Sequence, residues 1–212
     1  MMAFARLAFA RLSEVSFWKL CGSGTGEGFT PRPNTAVYSI ICVWPDLETA
    51  DKIMRKTMIF LRYKKISHEN WTIFLGTTSV KGKWAGQSPF HAEYRFNGGP
   101  IAALTRATIK PSILLKFWKR VPAISHVIGK NEDVIFKIGI GEVPLLHQIT
   151  FSIWPDSQSM ANFARHDGPH ARAIKSVRDG LWFKEELYAR FNVLATSGSW
   201  EECSHLEISK EP

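Results

Sequence analysis

One tripeptide occurs twice, and it constrains the fold more than anything else in the chain. Val43-Trp44-Pro45-Asp46 follows the strand-like stretch TAVYSIIC, and Ile153-Trp154-Pro155-Asp156 follows the strand-like HQITFS. Each copy precedes a helical stretch, 47–65 and 157–178, in which proline and aspartate supply the start signal. After each helix comes a Trp-led apolar strand, Trp71 to Leu75 in the first copy and Trp182 to Val193 in the second. Upstream, the strand Phe17 to Cys21 corresponds to Val134 to Ile140, each running into glycines. The helical segment 1–12 corresponds to 112–128. Only the strand Ile101 to Ile109 lacks a counterpart.

The second half therefore has the order β-α-β-β-α-β, the ferredoxin-like unit, and the first half is the same unit without its opening strand. The reading is an α+β fold of duplicated ferredoxin-like units in the manner of a dimeric α/β barrel. Two antiparallel sheets would pack face to face with helices outside. Residues 1–76 form the first half, 77–100 a glycine- and proline-rich linker, 101–200 the second half and 201–212 a tail.

Composition narrows the class. With 45% hydrophobic and 22% charged residues, 212 residues carry enough apolar surface to fold without disulfide staples. Three cysteines without C-x-x-C spacing fit a reducing compartment and offer no zinc site. No stretch is long and uninterrupted enough to read as a spanning helix. A net charge of +8 favours anionic partners: nucleic acid, membrane phosphates or a carboxylate-bearing cofactor. The acid-free segment 1–12 reads as a first helix of the fold. An amphipathic transit or membrane-surface helix is the alternative.

The candidate motifs are few. Gly22-Ser23-Gly24-Thr25-Gly26-Glu27-Gly28 gives no register of G-x-G-x-x-G and leads into Pro31 and Pro33, so it reads as a turn rather than a phosphate loop. His166 and His170 are separated by Gly168-Pro169. The proline breaks the helix and leaves His170 at the start of its second piece, beside Ile174 and Val177. An imidazole placed there could ligate a haem iron; a packed or surface histidine is the plainer alternative. His126 and His147 are reserve candidates. No nucleophile elbow is present, and the aromatics lie on strands the duplication would bury, which argues against nucleic-acid binding.

Four blocks carry a specific resemblance: FWKLCGSGTGEGFTPRPNTAVY (17–38), TRATIKPSILLKFWKRVPAIS (105–125), IGIGEVPLLHQITFSIWPD (138–156) and GLWFKEELYARFNVLATSGSW (180–200). They resemble the spheroidene monooxygenase family, bacterial enzymes that place a keto group at the C2 end of acyclic carotenoids. The resemblance implies a monooxygenase that uses haem b and O2, draws electrons from a donor such as ferredoxin, and acts on a lipophilic carotenoid. With the +8 charge, it implies a cytoplasmic protein in peripheral contact with the inner membrane. It also implies an opening strand ahead of the first helix, the element the repeat leaves without a partner. By analogy with haem proteins of this architecture, His170 is the expected iron ligand and catalytic centre. Arg106 and Arg165 are expected at the haem propionates, and Phe136, Phe151, Phe163 and Trp182 as pocket walls. A barrel that binds haem or another hydrophobe without oxygenating it is one alternative. A cofactor-free monooxygenase is another.

Overall fold

Alternating apolar positions along the strand-like stretches build one sheet. The structure, a computed structural model, describes residues 2–26, 28, 30–119, 133–165 and 182–200. Its strands are β1 (Phe17–Gly24), β2 (Pro33–Val43), β3 (Trp71–Gly82), β4 (Ile101–Ile109), β5 (Phe136–Gly141), β6 (His147–Trp154) and β7 (Phe183–Gly198). They run in the order β2-β1-β5-β6-β4-β7-β3, every neighbouring pair antiparallel. The helices are α1 (Met2–Phe9), α2 (Leu47–Lys56), α3 (Met58–Ile66) and α4 (Ser157–Arg165). A 3-10 turn, Pro111–Ile113, leads into helical residues 114–119. The fold is α+β, with one curled antiparallel sheet and few helices.

This corrects the expectation of two sheets packed face to face. Strand β7 is 16 residues long and pairs with β4 on one side and β3 on the other, so the ladder never breaks between the halves. Between β1 and β5 the join is short, Gly22 to Gly141 and Ser23 to Ile140. Glycine makes the approach possible nearby: Gly28 has φ +87°, and a Cβ there would lie 1.9 Å from the Gly139 carbonyl oxygen. The linker also begins later than expected. Residues 77–82 belong to β3, because Thr77 to Gly82 pair with Phe191 to Leu187.

The duplicated Trp-Pro-Asp has a concrete local role. Asp46 caps α2 by accepting the Thr49 N–H at 2.6 Å, and Asp156 accepts the Ser159 N–H at 2.7 Å at the start of α4. The expected helix over 47–65 breaks at Thr57, which is extended (φ −81°, ψ 128°). The break turns Ile59 and Phe60 towards Phe9 of α1, which stacks on Trp18 at 5.6 Å. On the other half, α4 covers Ile101 and Trp154 with Met160 and Phe163. No helix among the described residues is long and apolar enough to cross a membrane.

Two crossovers organise the sheet. The connection β6–α4–β7 spans over β4, which lies hydrogen-bonded between those strands and buries six of its nine residues. The connection β2–α2–α3–β3 joins the two edges of the sheet, with no strand between them among the described residues. Correspondingly, none of the eleven residues of β2 is fully buried, although Val37, Ile40, Ile41 and Val43 are apolar.

Candidate functional site

Strand alternation sends one set of side chains to the concave face of the sheet. From β4 these are Ala102, Leu104 and Arg106; from β6, His147, Ile149, Phe151 and Ile153; from β7, Glu185, Leu187, Ala189, Phe191 and Val193. The apolar members form the main core, while Ile101 and Trp154 belong to the cluster under α4. Along the strands the face is therefore graded, charged at one end and apolar at the other.

At the charged end Arg106 is 1% exposed and donates from Nη1 to Glu185 Oε1, with Nη2 3.6 Å from Glu142 Oε2. Lys19 Nζ lies 3.1 Å from Glu142, and Trp84 Nε1 donates to the same carboxylate at 2.8 Å. The guanidinium also sits 5.7 Å from the Trp84 ring, a cation–π contact in a buried setting. Glu185 reaches out of the sheet to accept the N–H groups of Ala85 and Gly86, both at 2.7 Å. Those residues have φ +52° and +77°, the two-residue turn that closes Trp84 onto Gln87. Burial works to raise the Glu185 carboxyl, yet the two N–H groups and Arg106 together hold it below its ordinary value. The arrangement fastens the linker to the sheet and plugs this end of the concave face with a fully buried Trp84.

His147 stands beside the plug, its Nδ1 3.6 Å from Glu142. Burial first, then the Arg106 charge, lowers its pKa against the opposing pull of Glu142, so the imidazole is neutral at ordinary pH. Arg106 Nε and His147 Nδ1 are buried without a hydrogen-bond partner among the described residues. Two cations, two carboxylates and a neutral imidazole leave the cluster close to electrically balanced.

The apolar end opens onto a cleft of about 1750 Å³ that lies between the sheet edges β2 and β3 and under α2 and α3. Its inner wall comprises Leu104, Phe136, Ile138, Phe151 and Phe191; Trp44 and Phe60 line the outer side. Pockets that take drug-sized ligands measure roughly 300–1,000 Å³, and this one is larger.

The predicted site residues do not assemble into one pocket. Phe136 and Phe151 do meet, ring centroids 6.3 Å apart, in the cleft wall. Phe163 is on the opposite face of the sheet, packed on Trp154 at 5.1 Å, because Ile101 and Trp154 alternate away from the concave set. Trp182 is buried beneath Lys116, away from the cleft. Arg106 is paired with Glu185 and Glu142, outside the cleft. His170 lies outside the described residues, as do the side chain of Arg165 and His126. Sequence reasoning missed Glu142, Glu185, Lys19 and Trp84. A signal existed for Glu185, a charge at an inward position of the alternation Glu185, Leu187, Ala189, Phe191.

Cys21 and Cys42 are poorly reactive while the fold stays closed around them. Burial pushes the Cys21 thiol up and that of Cys42 up to about 12. No cluster of three or more His, Cys, Asp or Glu residues able to hold a metal is found among the described residues.

Comparison with known proteins identifies relatives. The spheroidene monooxygenase of Cereibacter sphaeroides is 54% identical over 202 residues, covering 94% of this chain and 62% of its own length. That of Rhodobacter capsulatus is 47% identical over 189 residues, covering 88% and 78%. That of Rubrivivax gelatinosus is 31% identical over 185 residues, covering 87% and 71%. The chain thus spans less than two thirds of the Cereibacter protein. No protein-family model matches. A solved structure from Fusobacterium nucleatum superposes with a TM-score of 0.45 at 12% identity, over 92% of this chain and 83% of its own, too loosely to bear on chemistry.

Proposed function

The chain belongs to the spheroidene monooxygenase family, and we propose that it oxygenates the C2 end of an acyclic carotenoid such as spheroidene. The observation that carries this reading is the large apolar cleft walled by Leu104, Phe136, Ile138, Phe151 and Phe191. Extended polyenes are stiff and apolar. They are held by burial, roughly 25 cal/mol per Å² of apolar surface, rather than by hydrogen bonds.

In the proposed reaction a C–H bond, O2, two electrons and two protons give C–OH and water. A second round at the same carbon gives a geminal diol, which loses water to the ketone. The residues of this chain would bind and align the polyene end against the aromatic wall and keep bulk water away from it. The Arg106–Glu185–Trp84 plug would close one end of the concave face. The electrons come from a donor such as ferredoxin, which the family resemblance implies.

The cofactor in this proposal is haem b, on the resemblance alone. Of the residues expected to hold it, His170 and the Arg165 side chain lie outside those described, and Arg106 is committed to carboxylates. Haem incorporation is tested by the absorption spectrum of the protein expressed with haem supply. A Soret band lost in His170→Ala supports the assignment; an unchanged band in that variant refutes the ligand.

The architecture behind the cleft we read as two ferredoxin-like halves, 1–76 and 101–200. The paired Asp46 and Asp156 caps and the order β5-β6-β4-β7 support this. A cytoplasmic location with peripheral membrane contact belongs to the same proposal, motivated by the +8 charge and the lipophilic substrate. Failure to float with anionic liposomes at low salt would count against it.

The function is tested by filling the cleft. Ile138→Trp is expected to cut ketone formation in a spheroidene-producing host at least about tenfold, with a melting temperature close to the parent's. Undiminished ketone formation would place the substrate elsewhere.

A further inference from the structure

Towards the charged cluster, the cleft stops on three neighbouring strands in turn. On β4 Leu104 lines it and Arg106 does not; on β6 Phe151 lines it and Ile149 does not; on β7 Phe191 lines it and Ala189 does not. The ladders put Leu104 opposite Phe151 and Phe191 opposite Ala102, so this boundary crosses the strands as one oblique line. Phe90, from the chain between β3 and β4, stands at that line. Its ring is 5.3 Å from Phe191 on the cleft side and 6.2 Å from Trp84 on the other. Phe90 lines the cleft, whereas Trp84 does not and reaches on to Glu142 and Arg106. One aromatic ring thus separates the apolar cleft from the buried charges.

The chain holds Phe90 there from both directions. Before it, Glu185 accepts the Ala85 and Gly86 N–H groups. After it, the Tyr94 N–H donates to the Thr77 carbonyl at 3.1 Å, and Asn192 Nδ2 donates to the Arg95 carbonyl at 2.8 Å. Gly76 leaves room for this second clamp, since a Cβ there would lie 2.8 Å from the Tyr94 ring. Pro89 fixes the backbone directly ahead of Phe90, and these two are the buried residues of a segment otherwise exposed from Ala85 to Phe96. Edge contacts with Phe17, Trp84 and Phe191 hold the ring itself.

We propose that Phe90 is a specificity-determining residue of the cleft: its ring is the stop that the end of an extended apolar chain meets, and it sets the length of chain accepted. This rests on the reading that the cleft takes such a chain as substrate, and adds what limits it. Burial alone rewards length without a maximum, because each further CH2 removed from water tightens binding about fourfold. Apolar walls are non-directional and do not measure a chain; a clamped ring across its path does. Beyond the ring an apolar chain end would displace the partners of Arg106, Glu142 and Glu185, which is costly for buried charges.

Rigid all-trans diphenylpolyenes, lengthened one double bond at a time, measure the stop through their fluorescence on binding. In the parent, affinity should rise roughly tenfold with each added double bond up to a limiting length, and rise no further beyond it. Phe90→Ala should bind the first rod past that limit at least about tenfold tighter than the parent does. Phe90→Trp should act in the opposite direction, weakening the longest rod the parent accepts at least about tenfold. The shortest rod should bind all three proteins alike, which a misfolded variant would not do. The same limiting length in all three, with binding abolished by Ile138→Trp, would overturn this proposal and leave the cleft as the binding site. No binding by the parent, or equal binding by the parent and Ile138→Trp, would overturn both readings. Loss of the shortest rod in both Phe90 variants would also overturn the proposal, because Phe90 would then shape the whole cleft and not its end.

Discussion

The two helical crossovers of this sheet differ in what they enclose. Over β6–α4–β7 the helix covers a strand that buries six of nine residues, and its Trp154 is 3% exposed and stacked on Phe163. Over β2–α2–α3–β3 the helices cover a cleft, and Trp44, the repeat counterpart of Trp154, is only half-buried, 6.2 Å from Phe60. The same tripeptide starts a helix in both places. A filled crossover makes a firm region that can hold a buried charge, and an unfilled one makes a region that can admit a large apolar molecule.

The sharpest way to break this contrast is to remove Arg106 from the firm side. Arg106→Ala leaves Glu142 and Glu185 without the guanidinium and unpins the Trp84 turn, and should cost about 3–5 kcal/mol in urea denaturation. Arg106→Lys keeps the charge without the fork and should recover part of that. A loss no larger than that of a surface substitution would mean the plug is ornamental.

The tryptophan pair gives the next largest difference. Trp154→Ala removes a buried ring and its hydrogen bond to Ser152 and should cost about 3–5 kcal/mol, against about 1–2 kcal/mol for Trp44→Ala. Equal losses would erase the distinction between the two crossovers.

The caps should show the smallest effect, and the same one on both sides. Accepting the Thr49 and Ser159 N–H groups holds Asp46 and Asp156 below the ordinary carboxylate value. The contribution of each is present above that ordinary value and is lost as pH falls through the lowered one. Asp→Ala at either position should lower the melting temperature near neutrality, with the deficit shrinking in acid, and Asp→Asn should retain most of it. His147 has the same sign in a higher range. Its lowered pKa makes it destabilising as pH drops below about 6.5, so His147→Asn should flatten the stability profile there.

Much of this was legible beforehand where it is local. The repeated Trp-Pro-Asp announced two capped helices, and the bounds of β4 agree with the reading residue for residue. Edge pairing was not legible. Whether β7 stops at β4 or also carries β3 is set by side chains and backbone far apart in sequence, and polar residues such as Thr77 and Ser79 disguised the end of β3 as loop. Arg106 is expected at a haem propionate by analogy alone; its partner Glu185 lies 79 residues on, and only the sheet register brings them together. Phe163, an aromatic like Phe136 and Phe151, reads from sequence as a pocket wall beside them. The register, with helix α4 on the outer face, puts it on the other side.

Thiol labelling compares the two regions most directly. Cys42 lies on β2 beside the cleft, and Cys21 is fully buried in the main core. In a chain whose third cysteine is replaced, Cys203→Ser, and under conditions where opening precedes reaction, Cys42 should be labelled at least about tenfold faster than Cys21, through local opening at the β2 edge alone. Its rate should change little in low urea, while that of Cys21 follows global unfolding. Labelling of both cysteines at one common rate with one urea dependence would contradict the account, because the two crossovers would then open as a single unit.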